Sequence, residues 1–266
     1  MNSYKQRMIS LIKADIITLN GPKNSMKSML VFLLVFSIAL GFGFSPVGGQ
    51  FGPLLVGAFF VIGLFSNEMK QNSRQMFSVI PIERKDLVRS RFILCTVLYT
   101  AVSITIYLLM LLSMQLKLWR YVTPSDKDVL EMISNVVDGM TSFGIFNLTF
   151  FIAFAIGLKV MAFELRAYLV NPQKYRKYYI KGDYRLKSKK EILTISVFLI
   201  VYILFILLAA GVIKVSGALA MILFLVYQLA QAANGILMGV ILVIEALFFL
   251  IYCYISTVLK YDETDI

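Results

Sequence analysis

The sequence predicts an all-α integral membrane protein: six transmembrane helices, an N-terminal amphipathic interfacial helix, and a re-entrant element before the last span. Three observations predict it. Of 266 residues, 59% are hydrophobic and only 15% charged, where a soluble domain is roughly half apolar and a quarter charged. The apolar residues gather into runs of membrane-spanning length. The basic residues, which give the chain a net charge of +11, concentrate on one side of those runs, as the cytoplasmic bias of Lys and Arg requires.

The first 27 residues form an interfacial segment and residues 28–266 a single transmembrane domain. In the first segment Tyr4, Met8, Leu11, Ile12, Ile16 and Leu19 recur at the helical period, with Lys5, Arg7 and Lys13 between them. The pattern lacks the short apolar core and cleavage site of a signal peptide. It fits a helix lying in the headgroup region. Asn20-Gly21-Pro22 ends it.

The first two runs, Met29 to Phe44 and Phe51 to Ser66, are short spans. Gly41, Gly43, Pro46, Gly48, Gly49, Gly52 and Pro53 are read as the outer turn between them. Residues 67–91 are polar and form a cytoplasmic loop. Phe92 to Leu116 is the third span and Ser142 to Phe163 the fourth. Residues 164–191 form a basic cytoplasmic loop with several tyrosines, and Ile192 to Ile213 is the fifth span. Gly217 to Leu259 is apolar and too long for one crossing. Gln228, Gln231 and Asn234 break it, which fits an outer re-entrant segment at 214–235 and a sixth span from Ile236 to Leu259.

Lys117, Arg120, Lys127 and Lys214 fall on the outer side, Lys159 lies within the fourth run, and the other 21 of the 26 basic residues fall inside. That asymmetry puts both termini in the cytoplasm of a multi-pass plasma-membrane protein; because topology accounts for the basic residues, no nucleic-acid partner is expected.

Several chemistries are excluded. The chain has no histidine, which removes hydrolytic triads, His-ligated zinc and His proton relays. Cys95 and Cys253 sit inside apolar runs and read as reduced packing residues, so no metal site is expected. The phosphate loop G-x-x-x-x-G-K-[ST] is missing, and no Gly-Lys pair occurs. Isolated serines such as Ser103, Ser113 and Ser196 have no base in view and are expected to hydrogen-bond within the bundle. No catalytic residue is assigned. Glu245 is the only acid inside an expected span, and a carboxylate there needs a partner such as Lys159, a proton or water. With Gln228, Gln231 and Asn234 it forms the candidate translocation path. Gly235-x-x-x-Gly239 would allow close helix approach.

The most informative segment precedes the third span. Pro81 suits a first helical turn, and Ile80, Ile82, Leu87 and Val88 alternate with the charged cluster Glu83-Arg84-Lys85-Asp86. This predicts a short cytoplasmic helix with its charges outward, a surface better suited to a protein than to anionic lipid. Ile80, Pro81, Arg84, Lys85, Asp86, Leu87, Val88, Arg91 and Phe92 resemble the signature that type-2 ABC exporter permeases carry between their second and third membrane helices. The layout of the rest of the chain resembles theirs as well. Glu83, where the family has a small polar residue, and the long basic loop depart from it.

The resemblance implies a permease without its own ATPase. Two permease copies, as a homodimer or pseudo-dimer, would pair with two ABC ATPase subunits that bind ATP and Mg. ATPase coupling would fall on Met76, Ile80, Pro81, Ile82, Glu83, Arg84, Lys85, Asp86, Val88 and Arg91. The aromatic interior and short outer loops favour an amphipathic cargo such as a peptide; drug, lipid-linked saccharide or ion efflux are alternatives in the same class. Lys187, Lys189 and Lys190 in the basic loop would contact membrane lipid or cargo. An ATP-independent carrier or channel, or a membrane sensor, is the reading of another class.

Overall fold

The computed structural model describes residues 2–19, 26–43, 46–63, 84–116, 143–170, 228 and 232–263. The described residues form six α-helices: α1 (Asn2–Leu19), α2 (Met26–Gly43), α3 (Pro46–Gly63), α4 (Arg84–Leu116), α5 (Phe143–Val170) and α6 (Ile236–Glu263), the last preceded by a 3-10 turn at Ala232–Gly235. No strand occurs among them. Three helical segments, Lys85–Leu116, Phe143–Val170 and Ile236–Lys260, are long and apolar enough to cross a membrane. Leu30–Gly41 is a shorter apolar helix. At 1.5 Å per residue, the 18-residue helices α2 and α3 reach about 27 Å, against the ~30 Å of a hydrocarbon core. The expected fifth span, 192–213, lies outside the described residues, as does most of the expected re-entrant segment.

The glycine- and proline-rich stretch after α2 is not a long turn. α2 continues through Gly43 and α3 starts at Pro46, so Gly48, Gly49, Gly52 and Pro53 are all helical. Pro46 occupies the first turn, where a missing N–H is harmless. The glycines serve packing instead. A Cβ on Gly49 would lie 2.5 Å from the Gly41 Cα, and one on either glycine would run into the Met110 sulfur. α2 and α3 therefore meet backbone to backbone, with the Met110 side chain of α4 against both glycines. Pro53 cannot donate to the carbonyl of Gly49, four residues earlier. The buried Ser37 hydroxyl of α2 donates to that carbonyl instead, at 2.6 Å.

α5 is the central helix and packs most extensively on α6 and α3. It runs past Phe163 to Val170, so the first residues of the expected basic loop are helical. At Gly157 the Tyr99 hydroxyl of α4 occupies the space of a side chain, and the Leu54 carbonyl of α3 lies 3.3 Å from the same point. Gly239 likewise admits the Phe151 ring, and Gly235, at φ +76°, would bring a Cβ to 2.5 Å from the Gly144 carbonyl. The Gly235-x-x-x-Gly239 pair does bring α6 onto α5. Small residues matter here because lipid exerts no hydrophobic pressure between helices.

Two apolar cores result. One joins α3, α4, α5 and α6 around Cys95, Tyr99, Leu158, Met161 and Cys253. The other joins α2 to α5 around Leu33, Leu54, Ile106, Met110 and Phe146. Both cysteines are free and buried, as packing residues should be. The outward surface is equally apolar: Ile93, Val97, Ile104, Leu108 and Leu112 expose one stripe of α4, and Leu237, Ile241, Ile244, Phe248, Ile251 and Ile255 one of α6. Such stripes suit hydrocarbon rather than water.

The amphipathic helix α1 forms as expected, but its apolar face meets protein. Met8 is buried, Ile12 and Ile16 pack on the first core, and Asp15 is buried beside them. Lys13 and Arg7 remain exposed.

The Ser37–Gly49 contact has a direct test. Ser37→Ala should destabilise the detergent-solubilised protein by about 1 kcal/mol. In a Pro53→Ala background, where residue 53 regains its N–H, the same change should be nearly neutral. Thermal unfolding of the two single variants and the double variant measures the coupling.

Candidate functional site

α4 is one uninterrupted 33-residue helix. The charged residues before the third span are therefore its first two turns, from Arg84 onward, rather than a separate short helix. Met76, Ile80, Pro81, Ile82 and Glu83 lie outside the described residues. Of the rest, Lys85 and Arg89 are exposed, but Asp86, Val88, Ser90 and Arg91 are buried. The expectation that the charges all face outward is thus corrected. With 3.6 residues per turn, Leu87, Val88, Arg91, Phe92 and Cys95 fall on the face that α4 turns toward the core, and Asp86 and Ser90 flank it.

Arg91 is 1% exposed and its Nη1 donates to the Tyr168 hydroxyl at 3.1 Å. Its guanidinium also lies 5.7 Å from the centre of the Tyr168 ring. Arg89 Nε donates to the Tyr254 hydroxyl of α6 at 3.2 Å, and Phe92 meets the Tyr254 ring edge-on. The base of α4 is thereby tied to α5 and α6, with α1 packed beside it. A helix of this length spans about 50 Å.

Among the described candidate translocation residues, Glu245 and Asn234 each have their own partner. Glu245 of α6 pairs with Lys159 of α5, near the middle of both helices. The two side chains are 57% and 34% exposed. Each gives the other the counter-charge that hydrocarbon cannot supply. Asn234 lies a helix segment away, in the turn before α6, with φ +54°. Its carbonyl accepts from Asn147 Nδ2 at 3.0 Å. Gln228 is helical and exposed. Gln231, Lys187, Lys189, Lys190 and Ser196 lie outside the described residues.

Sequence reasoning missed four buried polar residues. Asp15 and Tyr168 stand at the charged end; Gln50 and Asn147 stand at the opposite end, where Tyr107 donates to Asn147 Oδ1 at 2.8 Å. Asp15 was detectable, since it interrupts the apolar stripe between Ile12 and Ile16. Asn147, an amide inside an apolar run, was detectable too. Gln50 was hidden by the reading of its surroundings as a turn. Of the serines, Ser103 donates to the Tyr99 carbonyl at 2.7 Å, whereas the buried Ser113 hydroxyl has no partner among the described residues. The described residues contain no cluster of metal-ligating side chains.

Long apolar helices, an outward apolar surface and a paired charge at depth define a polytopic helical membrane protein. The family profile of ABC-2 family transporter proteins matches residues 10–173, and the chain belongs to that family. The match runs from the middle of α1 through α5, including the whole of α4. No curated relative and no solved structure matches the chain.

The ion pair makes a specific prediction. Glu245→Gln, which leaves Lys159 without its counter-charge, should lower stability in lipid or detergent by on the order of 2 kcal/mol. Lys159→Gln together with Glu245→Gln should lie closer to the parent protein than either single change, because no charge is then left alone. Thermal unfolding of the three variants decides it.

Proposed function

We propose that the chain is the permease subunit of an ATP-driven exporter, which moves an amphipathic cargo such as a peptide out of the cell. Family membership supports the permease role. The observation that carries the coupling assignment is the continuity of α4: the charged turn at Arg84 to Arg91 and the membrane span are one rigid body. Exposed Lys85 offers a charge for docking a protein partner, while Asp86 and Arg91 sit in the bundle. A partner that displaces the exposed turn displaces the span with it.

In this reading the partner is an ABC ATPase subunit, which binds ATP and Mg²⁺ and performs the hydrolysis. The chain itself contains no phosphate loop. Two permease copies work with two ATPase subunits in the plasma membrane of a bacterium, with both termini cytoplasmic. The residues before α4, Met76 and Ile80 to Glu83, complete the docking surface. Lys187, Lys189 and Lys190 hold the basic loop to anionic lipid, at about 1 kcal/mol for each charge near the surface. Glu245 belongs to the translocation path.

Purification of the tagged full chain from its native membrane should bring down an ABC ATPase in a one-to-one ratio. Lys85→Glu should lower that yield or the ATPase rate of the complex by about threefold to tenfold, the effect of reversing a charge at a docking surface, with membrane insertion unchanged. A full yield and rate in Lys85→Glu would remove the coupling role from this turn.

A further inference from the structure

At the end of the bundle opposite Arg84, four elements are tied at one level. Gln50 of α3 donates through Nε2 to the carbonyl of Phe146 at 2.8 Å. The next residue of α5, Asn147, accepts from the Tyr107 hydroxyl of α4 and donates to the Asn234 carbonyl in the turn before α6. Residues 146 and 147 thus hold α3, α4 and the start of α6 to α5. Gln50 is fully buried and Asn147 is 2% exposed.

Three features bear on whether this layer can open. Every donor in it is a side chain, so each bond can be exchanged for water without unwinding a helix. The closed arrangement is incompletely satisfied: Gln50 Oε1 is buried with no hydrogen-bond partner among the described residues. That oxygen gains a partner when water enters, which offsets part of what the other groups lose. Finally, Asn234 and Gly235 adopt consecutive left-handed conformations, φ +54° and +76°. They form a junction at the end of an element, where a change of backbone angle can swing α6 without bending it.

We propose that Gln50, Tyr107, Asn147 and the Asn234 carbonyl form a hydrogen-bonded gate, closed in this structure, that opens to release cargo at the end of the bundle away from Arg84. Asn147 is its pin, because it alone bonds to two other elements. The direction of release rests on the exporter reading; the existence of an opening layer does not.

The probe is a membrane-impermeant, charged maleimide, which reacts only with thiols that water reaches. The reporter is Leu148→Cys, buried where α5 meets Gly235, in a protein also carrying Cys95→Ala and Cys253→Ala. The control is a second protein that retains Cys95, fully buried near the other end, and carries Cys253→Ala. Tyr107→Phe removes the donor while keeping the ring packed against Phe146 and Phe150. It should speed labelling at position 148 by about threefold to tenfold, the effect of losing one interhelical hydrogen bond, and leave Cys95 unchanged. No acceleration at 148, or equal acceleration at both thiols, overturns the gate; the second result marks general loosening. In the complex with its ATPase, ATP should speed labelling at 148 with Tyr107 intact, and no response to ATP during turnover also overturns it. If no ATPase binds, the exporter reading fails, and the Tyr107→Phe comparison still decides whether the layer opens.

Discussion

The carbonyl of Gly49 loses its intrahelical partner because Pro53 has no N–H, and within a membrane no water replaces it. The constraint that every backbone polar group must find a partner inside the protein governs the rest of the bundle. Ser37 meets it by reaching across from α2, and it can reach only because Gly41 and Gly49 bring the two backbones together. Close approach then has to be sustained elsewhere by the same means. Gly157 receives Tyr99, and Gly235 and Gly239 receive α5. Where helices cannot be pressed together by water, the shape of small residues and a few hydrogen bonds decide which faces meet.

The polar groups are distributed in three zones along this apolar frame. Asp15, Asp86, Arg91 and Tyr168 lie at the end where α4 begins. The Lys159–Glu245 pair lies between α5 and α6 near mid-depth. Gln50, Tyr107 and Asn147 lie at the far end. α4 and α5 contribute to both ends, and both are unbroken over their whole lengths. In the proposed reading, a load applied to the charged end would reach the far end through these two continuous helices. Side-chain bonds at the far end can yield while the helices stay intact.

Much of this was legible before any coordinates. Helix α1 followed from the spacing of Met8, Ile12 and Ile16, and the long spans from their uninterrupted hydropathy. Lys159 was identifiable as a partner for Glu245, because an isolated carboxylate at depth is costly. The glycine-rich stretch was misread for a physical reason. In water, Gly and Pro terminate helices; in a membrane bundle, neighbouring side chains can satisfy what they release. The charged turn was misread for another. Periodicity places Asp86 and Arg91 near the face of Leu87 and Val88, but it does not show that Tyr168 stands where the Arg91 guanidinium can donate to it.

The sequence by itself determined that the chain is a helical membrane protein, which side carries its positive charge, and that it resembles transporter permeases. These properties depend on composition and local order, because burial in lipid acts on each helix almost independently. Tertiary structure alone decided that the charged segment and the third span are one helix, that Gly49 is a contact rather than a turn, and that Gln50, Tyr107 and Asn147 share a level. Those outcomes depend on contacts between residues up to 96 positions apart in sequence, such as Gln50 with Phe146. No local pattern encodes which donor will stand opposite which carbonyl; the packing of the whole bundle does.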